Sequence, residues 1–172
     1  MKTKSDIENI AINALKLEAE AITNLTKNIN DEFINAVFAI LDIKGRLITT
    51  GIGKSAIIAQ KIVATMNSTG TPAIFMHAAD AIHGDLGMIQ QDDIVIAISK
   101  SGDTPEIKVL IPLLKNSSAK IVAMVGNTKS FLAEQADFIL DTTVTREACP
   151  LNLAPTTSTT TQLAMGDALA IC

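Results

Sequence analysis

Apolar residues at Ile7, Ile10, Ala14, Leu17 and Ala21 recur every three to four positions, the period of a helix with one apolar face. A second helix is expected after Asp31, with Phe33, Ile34, Val37, Phe38 and Leu41 turned inward. Beyond Gly45 the rhythm changes. Leu47–Thr50, Ala73–Met76, Ile94–Ile98, Ile121–Val125 and Phe138–Leu140 are short, nearly continuous apolar runs that end in turn residues. Between them lie the helix-compatible segments Ser55–Met66, Pro105–Lys115 and Lys129–Gln135, and Ala78–Ile82 followed by a loop. A last helix runs from about Thr157 to the end. Strands one βαβ unit apart, without polar alternation, belong to a parallel sheet buried on both faces. The expected fold is therefore α/β: a five-stranded parallel sheet sandwiched by helices, doubly wound, with right-handed crossovers. Residues 1–44 are expected to be N-terminal helices packed on a domain formed by residues 45–172, as one structural unit with no linker.

Composition narrows the partners. The 172 residues are 48% hydrophobic and 19% charged, enough for one sizeable core. Aromatics make up 3%, with no Trp or Tyr, so there is no platform for stacking bases. A net charge of −4 also argues against a nucleic-acid backbone as partner. Cys149 and Cys172 have neither metal-site spacing nor a disulfide framework. No apolar run opens the chain as a signal peptide does, and none approaches the roughly 18 residues of a membrane span. A cytoplasmic protein with no membrane partner is expected. The apolar end, Ala168 to Cys172, reads either as a truncation in or just after a helix or as a helix end covered by another subunit.

In open parallel sheets ligands bind beyond the carboxyl ends of the strands. After the first strand comes Gly51-Ile52-Gly53-Lys54-Ser55. A P-loop fails, because Ile48 stands where its first glycine is needed. A dinucleotide fingerprint with Asp80 as ribose acid, and a sugar-phosphate site with Lys54 as charge and Ser55 as hydroxyl, both fit these residues. The third strand decides between them. It runs into Ser99-Lys100-Ser101-Gly102-Asp103-Thr104-Pro105, a hydroxyl-rich turn at a helix start, where backbone N–H groups and the helix dipole favour a phosphate dianion. Asp103 and Glu106 also have capping-box spacing, but capping does not account for the cluster of Ser99, Ser101 and Thr104.

The only two histidines, His77 and His83, follow the second strand. Either suits proton transfer near neutral pH, His83 beside Gly84 and Asp85 being the stronger candidate. Their spacing is not that of a metal pair on a helix; adventitious or inhibitory zinc at His77 is conceivable. Beyond the fifth strand, Thr143 and Thr145 lead to Glu147, and the hydroxyl run Thr156–Thr161 opens the last helix. Such a run does not suit a helix interior, which favours a turn or a ligand-facing role. Cys149 has no base near it in sequence and is a weak nucleophile candidate.

The segments Gly51–Ser55, His83–Gly87, Ser99–Thr104, Glu147–Pro150 and Leu153–Thr160 together resemble the sugar isomerase (SIS) domain family, within it the arabinose 5-phosphate isomerases. The resemblance covers nearly all the chain from about residue 45 and implies a flavodoxin-like doubly wound sheet. It also implies interconversion of D-ribulose 5-phosphate and D-arabinose 5-phosphate, feeding Kdo and lipopolysaccharide synthesis, by a homotetramer that requires no cofactor. By motif, Lys54, Glu106 and Glu147 match catalytic positions, with His83 a further candidate. Ser55, Ser99, Ser101, Gly102 and Thr104 match the phosphate cradle, and Asp103, Thr143 and Thr145 are expected to add substrate contacts. His77 and His83 match residues lining the substrate site, His77 being the one associated with zinc that is inhibitory and not required. Gly70 and Thr71 match a substrate-contact segment that the sheet places at a strand's opposite end, so a neighbouring subunit would supply them. Family members usually continue into a His-Pro-Gly-Gly segment, whose histidine is implicated in catalysis, and many then carry a CBS pair. The 172 residues stop before both, and Asp103 stands where relatives often have Glu. Two other readings use the same residues: a non-catalytic sugar-phosphate sensor and a dinucleotide-binding oxidoreductase.

Overall fold

A computed structural model describes residues 2–172. Five strands, β1 (Leu47–Gly51), β2 (Ala73–His77), β3 (Ile94–Ser99), β4 (Lys120–Val125) and β5 (Phe138–Asp141), form one parallel sheet in the order β2-β1-β3-β4-β5. This is the flavodoxin-like order, and its direction reverses between β1 and β3. The sequence expectation misses the strand boundaries by at most one residue at either end.

Alternate residues of each strand supply two cores, because successive side chains point to opposite faces. Ile94, Ile96, Ile98, Val122 and Met124 pack on one face with α2 (Asp31–Leu41), α3 (Lys54–Thr69) and α7 (Thr157–Ile171). Val95, Ala97, Ile121, Ala123 and Val125 pack on the other with α4 (Ala78–Ala81), α5 (Pro105–Asn116) and α6 (Phe131–Gln135). The expected Lys129–Gln135 helix starts later, at Phe131, because Ser130 caps it by accepting from Ala133 N–H at 3.4 Å.

The long first helix, α1 (Lys4–Leu25), opens with a capping box between Thr3 and Asp6. Its predicted stripe is covered only in its second half: Ile7 and Ile10 are exposed, Ala14, Leu17 and Ala21 are half-buried, and Leu25 is the helix's one buried residue. The inward face expected of α2 is also corrected. Phe33, Ala36 and Ile40 are buried, whereas Ile34, Phe38 and Leu41 are exposed. Both stripes are apolar, so periodicity alone cannot say which one meets the sheet.

Helices α3 and α7 cross closely at Gly166, where an added Cβ would lie 2.3 Å from Ile62 Cδ1. Ile62 is fully buried, so it has little room to retreat. Gly166→Ala is expected to lower the unfolding free energy by about 1–3 kcal/mol, the usual cost of overpacking. Urea unfolding of Gly166→Ala with and without Ile62→Val checks this, since removing the offending methyl should return part of the loss.

Candidate active site

The register pairs Gly51 of β1 with Ile98 of β3, so the turns after these strands emerge side by side at the point where strand order reverses. A cleft of about 260 Å³ opens there. Lys54 and Ser55 come from the start of α3, Ser99, Lys100, Ser101 and Thr104 from the β3–α5 turn, and Pro155, Ser158 and Thr159 from the start of α7. Three helix N-termini thus face one cavity. Neither α3 nor α5 has a side-chain cap, which leaves their first N–H groups free for an anion.

The turn itself is tightly built. Ser99 is buried, and its Oγ accepts from Gly102 N–H at 3.1 Å. Ser101 Oγ accepts from Asp103 N–H at 3.2 Å. Gly102 has φ 69°, and a Cβ there would sit 1.9 Å from Ser130 Oγ, so only glycine fits. The N-cap of α5 is Thr104, not Asp103, so the capping-box reading fails: the Asp103 carboxylate is exposed and pairs with Lys108 at 3.0 Å. That hydrogen bond holds the Asp103 carboxyl below its ordinary range. Thr104 Oγ1 is buried without a partner, a hydroxyl at the cleft that a ligand oxygen can satisfy.

Behind the cleft lies Glu147, fully buried and ionised. Its Oε1 accepts from Lys100 Nζ at 2.7 Å and from Ser158 Oγ at 2.5 Å. Oε2 accepts from Thr156 N–H at 2.9 Å, Ser158 N–H at 3.1 Å and Thr156 Oγ1 at 3.3 Å. The carboxylate is therefore what caps α7. The hydroxyl run is helical from Thr157 onward, where the last helix was expected to begin, and its Ser158 and Thr159 line the cleft. Thr160 Oγ1 donates to Thr156 O and Thr161 Oγ1 to Ser158 O, so these hydroxyls are satisfied by the helix backbone.

Burial alone would raise the Glu147 pKa, but the donors from Lys100, Ser158 and Thr156 outweigh it and lower it to about 2. A carboxyl whose folded pKa lies below its unfolded value stabilises the fold fully above the unfolded pKa. That contribution fades as pH falls through the folded one. Glu147 is thus expected to withdraw about 3 kcal/mol between about pH 4.5 and about pH 2. Denaturant unfolding over that window should show a steeper acid loss in the wild type than in Glu147→Gln.

The remaining predicted residues lie around the cleft or away from it. Glu106, half-buried in the first turn of α5, is outside the ring that lines it. His77 ends β2 beside Gly51, with Nδ1 3.8 Å from Asp80 Oδ2 and otherwise unpartnered. His83 is exposed on the turn after α4. Gly70 and Thr71 lie at the opposite, amino end of the sheet, before β2. Thr143 and Thr145 line a separate cleft against α1, and Thr143 Oγ1 is engaged with Gly126 O and Asp141 Oδ1. No group of three metal-ligating side chains exists among the described residues, so His77 and Asp80 do not by themselves complete a zinc site. Sequence reasoning assigned no role to Lys100, although it is the one cation inside the serine turn.

Residues 40–172 match the SIS domain family model. The chain belongs to the SIS domain family. This SIS domain is 48% identical over 171 residues to arabinose 5-phosphate isomerase KdsD of Pseudomonas aeruginosa, covering 99% of the chain and 52% of that protein. It is 46% identical over 163 residues to arabinose 5-phosphate isomerase GutQ of Escherichia coli K12, covering 95% and 51%. The SIS domain spans about half the length of the curated relatives it matches. Among solved structures, a protein of Escherichia coli CFT073 in complex with arabinose 5-phosphate superposes with a TM-score of 0.94. It is 37% identical, with 99% of this chain and 90% of that one covered. The shared architecture places the cleft where doubly wound sheets bind ligands. No helix among the described residues is long and apolar enough to cross a membrane.

Proposed function

We propose that this SIS domain is an aldose–ketose isomerase that interconverts D-ribulose 5-phosphate and D-arabinose 5-phosphate. The observation that carries this reading is the convergence of the α3, α5 and α7 N-termini on one cleft holding Lys54, two free helix ends and the unpartnered Thr104 hydroxyl. Backbone N–H groups, a nearby ammonium and spare hydroxyls are what a phosphate dianion requires. The names of the relatives, and the arabinose 5-phosphate held by the similar Escherichia coli structure, supply the sugar.

In this mechanism Ser55, Ser99, Ser101, Thr104 and the α5 N-terminus fix the phosphate, with Gly102 shaping the turn beneath them. Glu147 or His83 moves the proton between C2 and C1 through a cis-enediolate. Lys54 stabilises the oxyanion that develops, and Glu106 either relays protons or orders Lys54 and the turn. Positioning and fixed charges provide most of the rate, and no cofactor is needed. His77, Asp103, Thr143 and Thr145 are assigned to the outer part of the substrate site, and Gly70 and Thr71 to a neighbouring subunit's. The exposed apolar residues of α1 and α2, Ile7, Leu15, Phe38 and Leu41 among them, support burial against further copies in a tetramer. A phosphorylated substrate and two free cysteines fit the cytoplasm, where the product would feed Kdo and lipopolysaccharide synthesis.

The test is NMR of D-arabinose 5-phosphate with the protein in deuterated water. Isomerisation with deuterium entering at the carbon that receives the proton supports the reading. Binding without exchange would make the chain a sensor, and an NAD-induced thermal shift without a sugar-phosphate one would make it an oxidoreductase.

A further inference from the structure

We propose that Lys100 is an exchangeable cation: it pairs with Glu147 in the free protein and moves to the phosphate when ligand enters, uncovering the carboxylate. Three observations converge on it. Lys100 lies between Ser99 and Ser101 and lines the same cleft as Lys54 and Thr104. Its Nζ sits 2.7 Å from Glu147 Oε1, but the two ends of the pair are unlike: the Lys100 side chain is 47% exposed and Glu147 is not exposed at all. Glu147 keeps Ser158 Oγ, Ser158 N–H and Thr156 N–H without Lys100, so the carboxylate does not lose all its donors when the lysine leaves.

The physical reason for the exchange is competition. A lysine is a compact charge on a flexible stem, with no planar geometry to hold it to one carboxylate. A dianion in the cleft offers it twice the charge and three acceptor oxygens, and its stem is already at the cleft wall. The charged groups facing the pair are Lys54 across the cleft and the uncapped α3 and α5 N-termini, which favour an arriving anion, while the α7 N-terminus is taken by Glu147 itself. Once Lys100 turns away, Glu147 loses its one cationic partner among the described residues and becomes the stronger base. Ligand binding and activation of the base are then one event, and a carboxylate that is masked in the free protein becomes competent only with substrate in place.

Because the cleft is read as a sugar-phosphate site, the probe is inorganic phosphate, titrated calorimetrically with no turnover required. Glu147→Gln frees Lys100 in advance and is expected to tighten phosphate binding about threefold or more, since the ligand no longer competes for the lysine. Lys100→Met is expected to weaken binding about tenfold, the worth of a charge-assisted contact. The Glu147→Gln gain should vanish in the Lys100→Met background. Simple repulsion between Glu147 and phosphate predicts the reverse: an equal or larger gain once the lysine is absent. That outcome, or no gain at all, overturns the exchange. Should Lys100→Met alone fail to fold around its unpaired carboxylate, the double variant carries neither charge and is compared with Glu147→Gln. A tenfold weaker affinity supports the exchange, and equal affinity overturns it. Failure of the wild type to bind phosphate would overturn the sugar-phosphate reading itself. Phosphate coupling without any isomerisation would leave Lys100 in place and remove only the enzymatic reading.

Discussion

Glu147→Gln is expected to bind arabinose 5-phosphate at least as tightly as the wild type and to turn it over about 10²–10⁴-fold more slowly, the usual contribution of a general acid–base group. The two effects separate because the glutamine keeps the shape of the site. Its amide oxygen can still accept from Thr156 N–H and Ser158 N–H, so the α7 N-terminus stays capped. What it removes is the charge that holds Lys100 and, if Glu147 is the base, the lone pair that takes the proton. Glu147→Ala should lose the same turnover and, in addition, stability, because the buried Ser158 N–H and Oγ would be left unsatisfied. Steady-state kinetics beside a phosphate titration reads both. Near-normal turnover in Glu147→Gln would remove Glu147 as the base and leave it as a cap, with His83 the next group to replace.

Gly102→Ala is expected to be the most damaging single change in the cradle. An L-residue at φ 69° costs about 1–2 kcal/mol, and the new methyl would meet Ser130 Oγ and Cβ at 1.9 and 2.4 Å. Ser130 is buried and caps α6, and Gly102 O also accepts from Leu132 N–H at 3.1 Å, so the turn cannot move without disturbing that helix. The melting temperature should fall by about 10 °C, and phosphate affinity by tenfold or more. Ser130→Gly in the same chain should recover part of the melting temperature, because it relieves the collision but not the backbone strain. Full recovery would mean that φ carries no cost here, and no loss at all would mean the turn is not the phosphate cradle.

The sheet was legible because Ile94–Ile98 and Ile121–Val125 are buried on both faces and carry no competing periodicity. The cleft was legible for a related reason: Gly51–Ser55 and Ser99–Thr104 both follow strands, and the direction of strand order at β1 and β3 places them together. Two features were not. The buried side of α2 depends on whether Ile34 and Phe38 or Ala36 and Ile40 meet the sheet, and small Ala36 gives no hydrophobic signal strong enough to win. The Lys100–Glu147 pair joins residues 47 positions apart across two loops, and no local spacing rule reaches that far. The capping-box reading of Asp103 failed for a subtler reason: Thr104 takes the cap position one residue later, and Lys108 one turn on draws the Asp103 carboxylate outward.

The three helix ends that meet at the cleft come from early, middle and late parts of the chain. A dianion seated among them therefore fastens together segments that otherwise communicate through the sheet, much as a cross-link does, but reversibly. Occupancy then adds to the folding free energy in proportion to the logarithm of free ligand, about 2.7 kcal/mol at a hundredfold excess over Kd. In a cell this would make the lifetime of the protein against proteases a record of its sugar-phosphate supply, with the unoccupied chain the first to be cleared when that supply fails.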